Sequence, residues 1–496
     1  MAAPKVLPLQ LTSVVGLGLA FAPPRTPREG VLQDVDVRTP LPRISVHPFG
    51  HYLQTENGKP FFWLGDTAWE LIHRTTREEC SYYLKTRADQ GFTLIQTVLL
   101  AEMDGIRSPS TFGEKPFFDD DPTKPNEKYF SRVIEIVDEA ASRGLYVALL
   151  PTWGVKLTAP WGVGPRIFGV DHSGVARGYT RYLGHRLRDR TNVVWILGGD
   201  RPPKRLGDGV DSIAEDWTPI WRELARGIEE GIERVPVILY HPQGGAETSS
   251  FYLHDESWLS INGMQSGHGM HDVPVWEWIH RDFELTPHKP TLDLEPNYED
   301  HPVNPWPRWN PASGYFRDHD VRRQLYRSVF AGGCGVSYGH HAVWQFAGER
   351  FEPINFPDRD WVEALERPAA TQVRFLRELM LSRPYFERVP DPGLLQANPP
   401  TGISHLEATR DTVGTYAFIH FPTSDLSARV DLGKLAATRI RAWWFDPRTG
   451  IGTKSAEFEG SGVREFRSPA NGPDWILVLD DVVAEYGPPG LSPVRN

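Results

Sequence analysis

What most constrains this chain is a rhythm that begins near Phe61: a short apolar run ending in polar or aromatic residues, then an amphipathic stretch at helical spacing, repeated eight times. The runs cover 61–64, 93–99, 145–150, 192–197, 235–239, 258–261, 290–294 and 335–338. Among the segments between them, 127–143 reads clearly as a helix: Phe130, Val133, Ile134 and Val137 recur on one face and Gly144 stops the turn. Strands separated by helices run parallel, and eight of them close a (β/α)8 TIM barrel.

The eighth run is followed by a helical region at 358–381, after which the texture changes. Alternating stretches at 415–420, 440–445 and 474–480 are separated by Pro, Gly, Asp and Asn turns, which predicts a small C-terminal antiparallel β-sandwich. The barrel is expected over 44–383 and the sandwich over 384–496. Within 51–62, two short stretches flank Asn57-Gly58, a dipeptide suited to a tight hairpin, here a lid on the barrel's entry. Residues 23–43 are rich in Pro and charge and read as an extended arm or linker. At 1–22, Lys5, a mostly apolar run and Ala20-Phe21-Ala22 follow the order of a secretory signal peptide, which predicts a secreted protein, cytoplasmic otherwise.

Composition narrows the partners. Hydrophobic residues at 40% and charged residues at 24% suit a soluble protein with a large core. The net charge of −11 repels nucleic-acid backbones and anionic bilayers, and no basic stripe offsets it. Beyond the N-terminal run, no apolar segment approaches the ~20 residues of a membrane span. Cys80 and Cys334 are the only cysteines, too few for a disulfide scaffold or a multi-cysteine metal site; they are two buried thiols or one bridge. The 17 Trp matter because flat apolar rings pack on the C–H faces of sugars, and they gather in loops.

In a (β/α)8 barrel the reacting groups sit at the C-terminal strand ends. Strands four and seven face each other across the mouth, and their runs end in Gly198-Gly199-Asp200-Arg201 and Glu295-Pro296-Asn297-Tyr298. Two carboxyls flanking one glycosidic bond supply a proton donor and, in a retaining enzyme, a nucleophile about 5–5.5 Å from it. Asp200 and Glu295 are therefore the catalytic candidates. Asp66 and Glu102 either bind sugar hydroxyls or orient Trp69 and cap a helix. Trp69, Trp153 and Trp344 are stacking platforms or rim fillers. Tyr240, Gln265 and Tyr298 are placed to support a strand-seven carboxylate, and His241 and His341 complete the binding set. His268, His340 and His341 raise a zinc alternative, but no compact ligand motif accompanies them, so neither metal nor cofactor is expected.

These motifs resemble a known family. Phe62-Trp-Leu-Gly-Asp-Thr-Ala-Trp-Glu70, Leu149-Leu-Pro-Thr-Trp-Gly154, Asn192-Val-Val-Trp-Ile-Leu-Gly-Gly-Asp-Arg201, Tyr240-His-Pro242, Gln265-Ser-Gly-His268 and Glu295-Pro-Asn-Tyr-Glu-Asp-His-Pro302 together look like the apiosidase-like glycoside hydrolases, family 140, over about 44–345. The resemblance implies a retaining hydrolase that acts on plant cell-wall pectin at apiose in rhamnogalacturonan II side chains, with Asp200 as acid/base and Glu295 as nucleophile. The tail, with Trp444-Phe-Asp-Pro-Arg-Thr-Gly450, is similar to a small β-domain appended to that family and named for collagen binding; a sandwich packed on a barrel more often serves stability or sugar binding. Leu294 stands where a small Gly is expected, which predicts a reshaped pocket. The alternatives are a glycosidase of this fold acting on another plant or microbial glycan, a non-catalytic carbohydrate-binding protein, and a metal-dependent hydrolase.

Overall fold

The computed structural model describes residues 40–158, 162–169, 173–207, 213–245, 247–399 and 401–491. The segment 1–22 and all but the end of the 23–43 arm lie outside the described residues. Eight parallel barrel strands are present: β1 (Trp63–Thr67), β2 (Leu94–Val98), β3 (Tyr146–Leu150), β4 (Val193–Gly198), β5 (Ile238–His241), β6 (Asn262–Met264), β7 (Thr291–Asp293) and β8 (Gly335–Tyr338). They pair in the order β5-β4-β3-β2-β1-β8, with β6-β7 as a separate ladder. A parallel bridge between Leu239 and Ile261 joins β5 to β6, and the Cys334 amide donates to the Thr291 carbonyl at 3.0 Å, so the ring closes. Most of these residues are buried, since helices cover one face and the barrel interior the other; the strands therefore read as continuous apolar runs.

Two strands are displaced from their expected positions. β5 starts at Ile238 because Pro236 has no N–H for the ladder, and Val235 before it is exposed. β6 lies beyond 258–261, on residues that are not apolar. Gly263 is needed there, since a β-carbon would come within 2.1 Å of the Tyr240 carbonyl. The helix expected at 127–143 spans Glu127–Ser142, with the Asn126 side chain accepting from the Lys128 amide and Gly144 at φ +78°. The region after β8 breaks into Trp361–Ala364 and Pro368–Leu381, the second helix opening on a proline. Ahead of β1, strands Ile44–Val46, Leu53–Thr55 and Pro60–Phe61 form an antiparallel sheet. The Phe61 ring meets that of Tyr146, the first residue of β3, at 5.1 Å, which puts this sheet at the barrel end opposite the reacting groups.

The C-terminal β-domain has two antiparallel sheets. One holds six strands in the order Arg388–Pro390, Glu407–Asp411, Tyr416–Phe421, Trp475–Asp481, Arg439–Asp446 and Ile451–Glu459; the other joins Leu395–Gln396, Ser427–Asp431 and Val463–Arg467. The six-stranded sheet is covered on both sides. Ala417, Ile419, Leu477 and Leu479 point into the sandwich core, while Tyr416, Phe418, Ile476 and Val478 join the barrel's core. Two buried ion pairs cross this seam: Arg322 on Asp474 at 2.8 Å, and Arg383 on Asp480 through bonds of 2.9 and 2.8 Å. Cys80 and Cys334 are both buried and unbridged, and burial pushes both thiols up to about 12.

Candidate active site

β4 ends at Gly198, and Gly198, Gly199 and Asp200 all have positive φ (+98°, +76° and +55°). A β-carbon on Gly198 would lie 2.2 Å from the His241 carbonyl, and one on Gly199 2.8 Å from the Gly154 amide. Only glycine fits this close approach, and the turn carries Asp200 into the barrel mouth. The Asp200 amide donates to His241 Nδ1 at 2.9 Å. Its Oδ2 accepts from Arg201 Nη1 at 2.9 Å and its Oδ1 faces the Gly244 amide at 3.4 Å. Burial raises the Asp200 carboxyl above the usual carboxylate range; Arg201 opposes this, and the nearby Glu295 charge adds to it.

Glu295 follows β7. Its Oε2 lies 3.2 Å from both Trp69 Nε1 and His241 Nε2, and its Oε1 lies 3.2 Å from His268 Nε2. The partners determine the tautomers. His241 Nδ1 accepts from Asp200 and His268 Nδ1 from the Tyr298 amide, so both rings carry their proton on the nitrogen that faces Glu295. Burial by itself would raise Glu295, but the His241 and His268 imidazoles that face it outweigh this and hold the carboxyl well below the usual range. The Tyr298 hydroxyl, buried near Glu295, is pushed far up by burial and by that charge. Leu294 does not touch this space. Its side chain is buried against Gly263, behind the cavity wall, so the expected reshaping of the pocket does not occur there.

A cavity of about 810 Å³ opens over these groups. Of the residues singled out from sequence, it brings together Asp200, Glu295, Trp69, Glu102, Trp153, Gln265, His268, Tyr298 and Trp344. Trp153 Nε1 and Gln265 Oε1 are buried without a protein partner, which suits a ligand rich in hydroxyls. Glu102 sits 3.9 Å from Arg201 and is pushed up to about 8, first by burial and then by the Asp200 charge.

The other five singled-out residues are not on this wall. Asp66 is fully buried in an ion pair with Arg87 at 2.7 Å and a bond from Tyr83, and anchors the helix Arg77–Asp89 to β1. The Tyr240 hydroxyl donates to the Arg201 carbonyl at 2.8 Å, bracing the acidic turn from behind. His241 links the two carboxyl sites, as above. His341 donates to the Asn355 carbonyl at 2.8 Å and accepts from Trp344 at 3.3 Å. His340 is held by Asp300 at 3.1 Å and the Ala342 amide at 3.0 Å. Among the described residues, no group of three or more His, Cys, Asp or Glu is arranged to hold a metal ion. Sequence reasoning missed His301, Trp306, Gln243 and Met270, which also line the cavity. They lie in irregular loops without periodicity; only the nearness of His301 to Glu295 in the chain could have signalled one of them.

A parallel eight-stranded barrel with opposed carboxyls at its mouth, in a Trp-lined cavity, is the architecture of a glycoside hydrolase, and the comparisons agree. Residues 47–387 match the model described as "Apiosidase-like, catalytic domain", and the chain belongs to that family. Residues 389–480 match a model described as "Putative collagen-binding domain of a collagenase". A crystal structure of a glycoside hydrolase family 5 protein from Bacteroides vulgatus ATCC 8482 is 30% identical, with a TM-score of 0.79 over 91% of this chain and 96% of that one. A second structure, named "Glycoside hydrolase", is 28% identical, with a TM-score of 0.77 over 90% of this chain and 98% of that one. Among curated proteins none matches.

Proposed function

We propose that the protein is a retaining glycosidase that removes apiose-containing units from rhamnogalacturonan II side chains of pectin. One observation carries the mechanism: two carboxyls at one cavity are driven in opposite directions, Asp200 upward and Glu295 downward. Asp200, holding its proton, gives it to the leaving oxygen while Glu295 attacks the anomeric carbon to form a glycosyl ester. Asp200, now a carboxylate, then takes a proton from water as that water cleaves the ester. His241 and His268 keep Glu295 ionised and fixed. The apiose and pectin reading is supported by the family to which the catalytic domain belongs and by the aromatic, hydroxyl-seeking cavity. Action outside the cell belongs to the same proposal and rests on the residues at 1–22.

The test is sugar release from rhamnogalacturonan II side-chain oligosaccharides by the native protein, Asp200→Ala and Glu295→Ala, with proton NMR of the first anomer formed. Each variant should lose on the order of a thousandfold in rate, and the first product should keep the substrate's anomeric configuration. An inverted first product, or undiminished release by either variant, overturns the mechanism.

A further inference from the structure

His301 and Trp306 line the cavity, and the chemistry proposed above uses neither. His301 Nδ1 lies 2.7 Å from the Pro302 carbonyl. A carbonyl only accepts, so Nδ1 carries the ring proton and Nε2 keeps a lone pair. No described residue donates to that lone pair, although His301 is only 3% exposed. Burial, reinforced by His268 and His341 close by, holds this imidazole well below its usual range. It is thus a neutral acceptor, held in place and without a partner.

Its ring is also the middle of a row. On one side it stacks on His268, with centroids 4.0 Å apart and planes at 21°, and His268 reaches Glu295. On the other it meets the Trp306 ring at 5.8 Å. Trp306 is 51% exposed, a large apolar face left to water at the mouth of the cavity. The row leads outward from Glu295, and its free groups are an acceptor followed by a flat apolar surface. A pyranose or furanose ring offers the complement, a hydroxyl donor at its edge and C–H groups on its face.

We propose that His301 and Trp306 build a second sugar subsite beyond the one where the bond breaks: His301 Nε2 accepts a hydroxyl hydrogen and the Trp306 ring packs on the C–H face of the same sugar. Its substrate class rests on the hydrolytic reading above. The subsite makes the enzyme prefer oligosaccharides over simple glycosides of the released sugar.

The experiment uses two probes, a rhamnogalacturonan II side-chain oligosaccharide and an aryl glycoside of the released sugar, with Trp306→Ala and His301→Phe. Phenylalanine keeps a ring against His268 but has no lone pair. The ratio of kcat/KM between long and short probe should fall about tenfold in each variant, mainly through KM, consistent with the loss of one stacking contact or hydrogen bond. Calorimetric binding of the oligosaccharide should weaken about as much, a readout that does not depend on turnover. An unchanged ratio together with unchanged binding in both variants overturns the subsite, whether or not overall rates fall. If the native protein binds the oligosaccharide but cleaves neither probe, the hydrolytic reading fails and the binding arm still decides the subsite. Absence of binding by the native protein overturns both.

Discussion

Replacing Glu102 by glutamine should remove a loss of stability that the native protein suffers as pH rises. Glu102 lies past β2 on the cavity wall, 3.9 Å from Arg201 Nη2, while Nη1 of the same guanidinium holds Asp200 at 2.9 Å. Water reaches only 18% of its side chain. Burial, then the Asp200 charge, raise its carboxyl from an ordinary 4.5 to about 8, against the pull of Arg201. Between those values the folded protein keeps a proton that the unfolded chain has released. The stabilisation is therefore complete below about 4.5 and is lost as pH climbs through about 8. At about 1.4 kcal/mol for each pH unit, the span comes to roughly 5 kcal/mol. An amide of the same shape does not ionise, so Glu102→Gln should match the native protein near pH 4.5 and gain on it progressively up to pH 9. Urea denaturation at pH 5, 7 and 9 measures this directly. Parallel stability curves for the two proteins would refute the assignment of a protonated carboxyl at this site.

Three further outcomes follow from the same geometry. In His241→Ala, Glu295 loses one of the two imidazoles that hold it low, so the acidic limb of kcat/KM should move to higher pH; an unmoved limb would argue that Glu295 does not govern it. Gly198→Ala places a β-carbon 2.2 Å from the His241 carbonyl at φ +98°, and should cost at least about 2 kcal/mol in a thermal melt and on the order of a hundredfold in turnover; native-like values in both would contradict the turn. Arg383→Leu strands the buried Asp480 carboxylate and should destabilise the whole chain by about 3–5 kcal/mol in chemical denaturation, whereas an effect under about 1 kcal/mol would mean the pair is solvated.

The barrel is legible in sequence because its strands are buried on both faces, so each leaves an apolar run of the right length. Where backbone constraints replace side chains, legibility fails. Pro236 delays β5, and Gly263 places β6 on a residue with no hydrophobic signal at all. In the site, Asp200 and Glu295 stand out as acids at opposed strand ends. Strand-end position does not say toward which side a residue points, however. Asp66 ends its run as Asp200 does, yet it turns away from the mouth to meet Arg87 on a covering helix. His301 and Trp306 come to the cavity along an irregular path after β7, which no spacing rule anticipates.

The shared sheet has a consequence for how this chain can be divided. A barrel cut free after Arg383 would turn Phe330 and Tyr326 toward water and take Asp474 from Arg322 and Asp480 from Arg383. The tail would in turn expose Tyr416, Phe418 and Val478 along one side of its main sheet. Neither fragment has a reason to dissolve as a monomer. The appended β-domain is thus less a passenger than the missing outer wall of the catalytic unit, and the two should melt together as one cooperative body.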